Sequence, residues 1–149
     1  VTTFKSVAQQ IAEFQATPLA EKKPRTKPKR IEDKIHVSIA KALKAILPTS
    51  VVWWSNESRG VGFKEGSRRK ARGVKAGVPD MEFHFRGVRS PHLTAVFIEL
   101  KRPGGETSNE QDEMLARLRE AGAVVHVCHS LDEVLEALEG AGCPMMTRL

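Results

Sequence analysis

The chain reads as an α/β protein: a mixed four-stranded sheet flanked by helices. Segments whose apolar residues recur every three or four positions alternate with segments that repeat every two, which separates helices from strands. The connection from the second strand to the third, Arg86 to Thr94, is short and favours an antiparallel meander. A helix joins the third strand to the fourth, which favours a right-handed parallel crossover. At 149 residues the chain has room for one domain with its own core.

The elements follow in order. Phe4, Val7, Ile11 and Phe14 recur at helical spacing and predict a short amphipathic helix. Thr17 to Lys29 carries Pro18, Pro24 and Pro28 among lysines and reads as an extended, mobile linker. The expected division is therefore an N-terminal helix and basic linker over 1–29 and a compact domain over 30–149. Ile31 to Leu47 is the next helix, with Ile35, Ile39, Leu43 and Ile46 as its apolar stripe and Pro48 past its end. Glu32 shares that stripe; by position it also reads as a first-turn acid favoured by the helix dipole. Val51 to Trp54 is a short strand. Ser55 to Lys75 is polar and basic, with one helical turn over Arg68 to Arg72 that Gly73 ends. Met81, Phe83 and Phe85 alternate with Glu82 and His84 in a second strand. Ala95 to Leu100 is the third, stopped by Pro103-Gly104-Gly105. Ser108 opens a helix with Gln111 in the third position of a capping box. Met114, Leu115 and Leu118 form its inner face, and Gly122 ends it. Ala123 to Val127 is nearly all apolar, as expected of a buried parallel strand. Leu131, Val134, Leu135 and Leu138 are the inward face of a last helix.

Charge is unevenly placed. The net charge is +6, but Thr17 to Arg30 holds six basic residues against Glu21, and Arg59 to Lys75 holds seven against Glu65. Outside these two stretches the chain is acidic. Positive charge concentrated this way suits a polyanion; the plainer alternative is two solvated loops. No apolar stretch approaches the roughly 20 residues of a membrane helix, and no signal peptide is visible. Cys128 and Cys143 are too few for a disulfide framework, so a reduced intracellular compartment is expected. The chain starts at Val1, which leaves room for an initiator methionine or a longer N-terminus.

The most informative constellation is Gly77-Val78-Pro79-Asp80 with Glu99-Leu100-Lys101. If Val96, Ile98 and Leu100 face one side of their strand, Glu99 and Lys101 face the other, about 6–7 Å apart. An inward Glu beside a Lys, with an Asp from the preceding strand, is costly as packing alone. It suits a divalent cation, because hard cations prefer carboxylate oxygens. Lys101 could then position a water or stabilise negative charge at phosphorus. Weaker signals are His126, Cys128 and His129, which lack a partner pair at zinc-finger spacing. Trp53 and Trp54 read either as base-stacking residues or as core, with core favoured for at least one. Gly104 and Gly105 read as a turn.

The pattern Pro-Asp, then Glu-x-Lys, resembles the PD-(D/E)xK nuclease superfamily. Four segments look like its VRR-Nuc branch: Asn56 after the first strand, Gly73 to Asp80, Phe97 to Gly105, and Ser108 to Gln111. The resemblance spans about Ile31 to Leu138 and implies a restriction-endonuclease-like core. It implies Asp80, Glu99 and the main-chain carbonyl of Leu100 as metal ligands, Lys101 as the catalytic lysine and Glu32 as a helical acid at the metal site. It also implies a catalytic role for Gln111, beside or together with its capping role. Asn56 falls at a polar position near the active face, or is a turn residue. DNA contacts are expected from Asn56, Arg59, Arg68, Arg69, Lys70, Arg72 and Lys75. The expectation is a Mg²⁺- or Mn²⁺-dependent DNA endonuclease. By resemblance alone it is a phage- or prophage-like homodimer acting on branched DNA such as Holliday junctions. The alternatives are a nicking or restriction-like nuclease on linear duplex or single-stranded DNA, and a catalytically silent DNA-binding module.

Overall fold

A computed structural model of the chain describes residues 27–56 and 63–146. The expected N-terminal helix, most of the linker and Arg59 lie outside the described residues. The described elements are α1 (Lys27–Ile46), β1 (Val52–Ser55), α2 (Phe63–Ala71), β2 (Met81–Arg86), β3 (Leu93–Leu100), α3 (Asn109–Glu120), β4 (Val124–Cys128) and α4 (Leu131–Gly140). The sheet order is β1-β2-β3-β4. β1 and β3 both run antiparallel to β2, and β4 runs parallel to β3. This is the expected mixed sheet.

One face carries the main core. Ile39, Leu43 and Leu47 of the α1 region and Val134, Ala137 and Leu138 of α4 pack with Met81, Phe83, Phe85, Val96, Ile98 and Leu100. Leu43, Met81, Phe83, Val96, Ile98 and Leu138 are fully buried, so cutting one of the larger ones back to Ala would cost about 2–5 kcal/mol. α3 lies on the other face, where Leu115 and Val125 are buried and Arg119 donates to the Val125 carbonyl at 3.3 Å. Ser108 caps α3 through the expected box: its Oγ accepts from Gln111 N, and Gln111 Oε1 accepts from Ser108 N.

Three expectations change. α1 begins at Lys27, inside the expected linker, because Pro28 stands in the first turn, where a missing N–H costs nothing. Glu32 is therefore not a first-turn acid; the first turn of α1 has none. The expected single turn at Arg68 to Arg72 is a nine-residue helix, α2. Glu65 supports it with ion pairs to Arg69 (3.7 Å) and Arg72 (3.2 Å). Gly73 does end it, at φ 85°, with Gly73 N bonding Lys70 O and Val74 N bonding Arg69 O. Finally, β4 is parallel as expected but sits at the sheet's edge, so Val125 and Cys128 are buried while His126 is exposed.

Candidate active site

The approach to β2 is fixed from both sides. Asn56, just past β1, donates its backbone N–H to Asp80 O (2.8 Å) and its side-chain amide to Pro79 O (2.9 Å). On the other side, Gly77 lies against the first turn of α3. Its φ is 73°, and a Cβ there would collide with the Glu110 carbonyl and sit 2.9 Å from Gln111 N. Only glycine meets both demands. The Gly-Val-Pro-Asp run is thus a docking segment that sets Asp80 beside the element carrying Gln111.

Asp80 and Glu99 meet across the ends of β2 and β3. Met81 pairs with Ile98, which places Asp80 and Glu99 at the next step of the ladder. Asp80 Oδ2 accepts from Leu100 N at 2.9 Å. Glu99 is 1% exposed, although its side chain is ionisable. Its Oε1 accepts from Lys101 Nζ at 2.9 Å and from Gln111 Nε2. Gln111 uses opposite ends of one amide: its oxygen completes the α3 capping box and its nitrogen donates to Glu99. Glu99 Oε2 is buried with no hydrogen-bond partner.

Burial, first, and then the neighbouring Asp80 carboxylate push the Glu99 carboxyl up to about 7; Lys101 opposes this. Asp80 is also raised, chiefly by burial, against the Leu100 N–H, His36 and Lys101. Glu32 stands near enough to raise both. An excess of carboxylate with one orphaned buried oxygen is a donor set that a hard divalent cation would relieve. The residues present therefore fit such an ion. Among the described residues no three His, Cys, Asp or Glu side chains cluster as a metal site. Direct side-chain donors would be Asp80 and Glu99, with the Leu100 carbonyl adjacent, while Glu32 acts from further out.

The structure thus brings Asp80, Glu99, Leu100, Lys101 and Gln111 together, and sets Glu32 at their electrostatic edge. Asn56 is committed to the backbone of Pro79 and Asp80, which makes it a positioning residue for the site. Arg68, Arg69, Lys70 and Arg72 lie on or just after α2, and Lys75 on the segment leading to Gly77. Arg69 is half-buried; the other four are exposed. The sequence reading missed His36, one helical turn after Glu32, whose Nε2 meets Ser55 Oγ at 3.0 Å. Its i, i+4 relation to Glu32 was the available signal. His126 is exposed, Cys128 is a buried free thiol, and His129 is held by Glu133.

The model of the VRR-NUC domain family matches residues 26–132. A solved structure described as a VRR_NUC domain protein superposes with a TM-score of 0.57 at 20% identity, covering 79% of this chain and 90% of that one. At that identity the likeness concerns the fold. No curated protein matches the chain. The family match covers most of the chain, including Asp80, Glu99, Lys101 and Gln111, and on it this chain belongs to the VRR-NUC domain family, a family of nucleases.

Proposed function

We propose that this chain is a divalent-metal-dependent DNA endonuclease that hydrolyses phosphodiester bonds, prefers branched DNA such as four-way junctions, and acts as a homodimer. The observation that carries the catalytic reading is Glu99: a fully buried carboxylate with one oxygen gripped by Lys101 and Gln111 and the other unpartnered. Asp80, Glu99 and the Leu100 carbonyl are the groups that would hold Mg²⁺ or Mn²⁺. The cation supplies activation of water and neutralisation of phosphate charge. Lys101, mostly buried and ion-paired to Glu99, places an ammonium where it orients the attacking water and stabilises negative charge on the phosphoryl oxygens. Gln111 fixes Glu99 in one orientation from α3. Glu32, on α1, is an outer acceptor for ordered water. Water oxygen bonds to phosphorus as one ester P–O bond breaks; in net terms one proton of that water ends on the leaving sugar oxygen, directly or through solvent, and the other stays on the new phosphate hydroxyl until solvent removes it. Arg68, Arg69, Lys70, Arg72 and Lys75 grip the backbone, giving affinity without sequence readout. The preference for branched DNA and the dimer are supported by the family resemblance, since two sites would meet two strands of one junction.

The test is a panel of end-labelled DNAs (four-way junction, flap, splayed arm, plain duplex and single strand) incubated with Mg²⁺ or Mn²⁺ and mapped for cut positions. The proposal expects metal-dependent cuts near branch points. Equal rates on plain duplex would overturn the structural preference, and no cleavage with either metal would overturn the catalytic reading.

A further inference from the structure

Two adjacent tryptophans have opposite surroundings. Trp53 stacks on Phe83, with centroids 5.9 Å apart and rings 19° from parallel, and packs against the core. Trp54 takes the other face of the sheet and is 42% exposed. Its indole stacks on His84 at 5.0 Å and 19°. His84 is held in turn by Glu82, Nε2 to Oε1 at 2.7 Å. One side of the indole therefore rests on an imidazole that is itself pinned, so the tryptophan has little rotamer freedom left to lose on binding.

Its position relates it to the site. Trp54 pairs with Glu82, and Glu82 is two residues from Asp80. Alternation puts Trp54, Asp80 and Glu99 on the same face. One inter-strand spacing and two residues of rise separate Trp54 from Asp80, about 8 Å between Cα atoms. The connection that leaves this same strand carries Arg68, Lys70, Arg72 and Lys75, all exposed. An exposed aromatic face beside a carboxylate pair, with cations supplied by the adjoining segment, has the chemistry of single-strand recognition: stacking for the base, positive charge for the backbone.

We propose that Trp54, backed by His84, is a stacking platform for an unpaired nucleobase next to the scissile phosphate. This rests on the DNA nuclease reading above and deepens it by naming a substrate feature. Paired bases within a duplex are stacked on their neighbours and offer no free face, whereas a branch point, gap or flap does. Trp54 would therefore contribute to selection of DNA with an unpaired base.

The experiment compares Kd by fluorescence anisotropy, in metal-free buffer, for a duplex with a two-nucleotide gap and the same duplex fully paired. The full chain is used as wild type, Trp54→Phe, Trp54→Ala and His84→Ala. Wild type is expected to prefer the gapped DNA. Trp54→Ala should shrink that preference roughly tenfold, Trp54→Phe should keep most of it, and His84→Ala should lose part. Melting temperature and light-scattering mass are measured in parallel. A gapped-to-paired ratio that stays at the wild-type value in Trp54→Ala overturns the proposal, as does a wild type without preference. Loss of preference accompanied by dissociation of a dimer also overturns it, because the face would then be covered by a second copy. The catalytic reading fails separately: a wild type that binds gapped DNA through Trp54 but cuts nothing with Mg²⁺ or Mn²⁺ refutes catalysis and leaves the stacking result standing.

Discussion

Glu99 is the only charged side chain fully buried among the described residues, and its carboxyl lies at about 7, where an ordinary glutamate would be near 4.5. The sign of the consequence is definite. A carboxyl raised in the folded state contributes most to stability below its unfolded pKa, about 4.5, and that contribution is lost as pH rises through about 7. A divalent cation binds the ionised form, so proton and cation compete for the same oxygens. The gain in melting temperature from millimolar Mn²⁺ should therefore grow as pH rises from about 5.5 to about 8. A gain independent of pH would contradict the assignment. Glu99→Gln should abolish that gain. In kinetics, Lys101→Ala should lower cleavage by about 100-fold or more while junction affinity in the absence of metal changes by a few-fold at most. Comparable losses in both would make Lys101 a binding residue.

At the scale of elements, the site depends on how closely the segment before β2 approaches α3. Gly77→Ala would meet the Glu110 carbonyl and push away the turn that carries Gln111. Gly73→Ala has the same positive-φ problem but open space around it, and should cost only about 1–2 kcal/mol of stability. The expected result is that Gly77→Ala lowers both melting temperature and cleavage, and by clearly more than Gly73→Ala. Equal effects would mean that close approach does not matter. The sequence showed the strands well because Met81, Phe83, Phe85, Val96, Ile98 and Leu100 alternate cleanly, and it showed the α3 capping box because that signal is local. It understated α2, which has almost no apolar stripe and is supported by Glu65 pairing to Arg69 and Arg72. It misplaced the start of α1 because Pro28 signals a linker and a helical first turn equally well. That error in turn made Glu32 look like a first-turn acid. The contact of His36 with Ser55, and of Gly77 with α3, joins residues far apart in sequence, and no periodicity reports such pairs. Similarly, the apolar run of β4 predicted burial, but edge position depends on the whole sheet.

At the scale of the molecule, an acidic body carries its positive charge on a few segments, and the one described in the structure lies between β1 and β2, immediately before Asp80. Replacing Arg68, Lys70, Arg72 and Lys75 together by Ala should weaken all DNA substrates alike. It should also flatten the slope of log Kd against log salt by about 3–4, near one unit for each phosphate no longer neutralised. An unchanged slope would place the DNA elsewhere. No helix among the described residues is long and apolar enough to cross a membrane. The central claim of the proposed function is that hydrolysis is carried out at Asp80, Glu99 and Lys101 with a divalent cation. Its most direct test is the single-turnover cleavage rate of a labelled four-way junction in Mn²⁺, for wild type and Asp80→Ala. The account predicts cuts near the branch for wild type and none above background for the folded, DNA-binding variant; an Asp80→Ala protein that cuts as fast as wild type would contradict it.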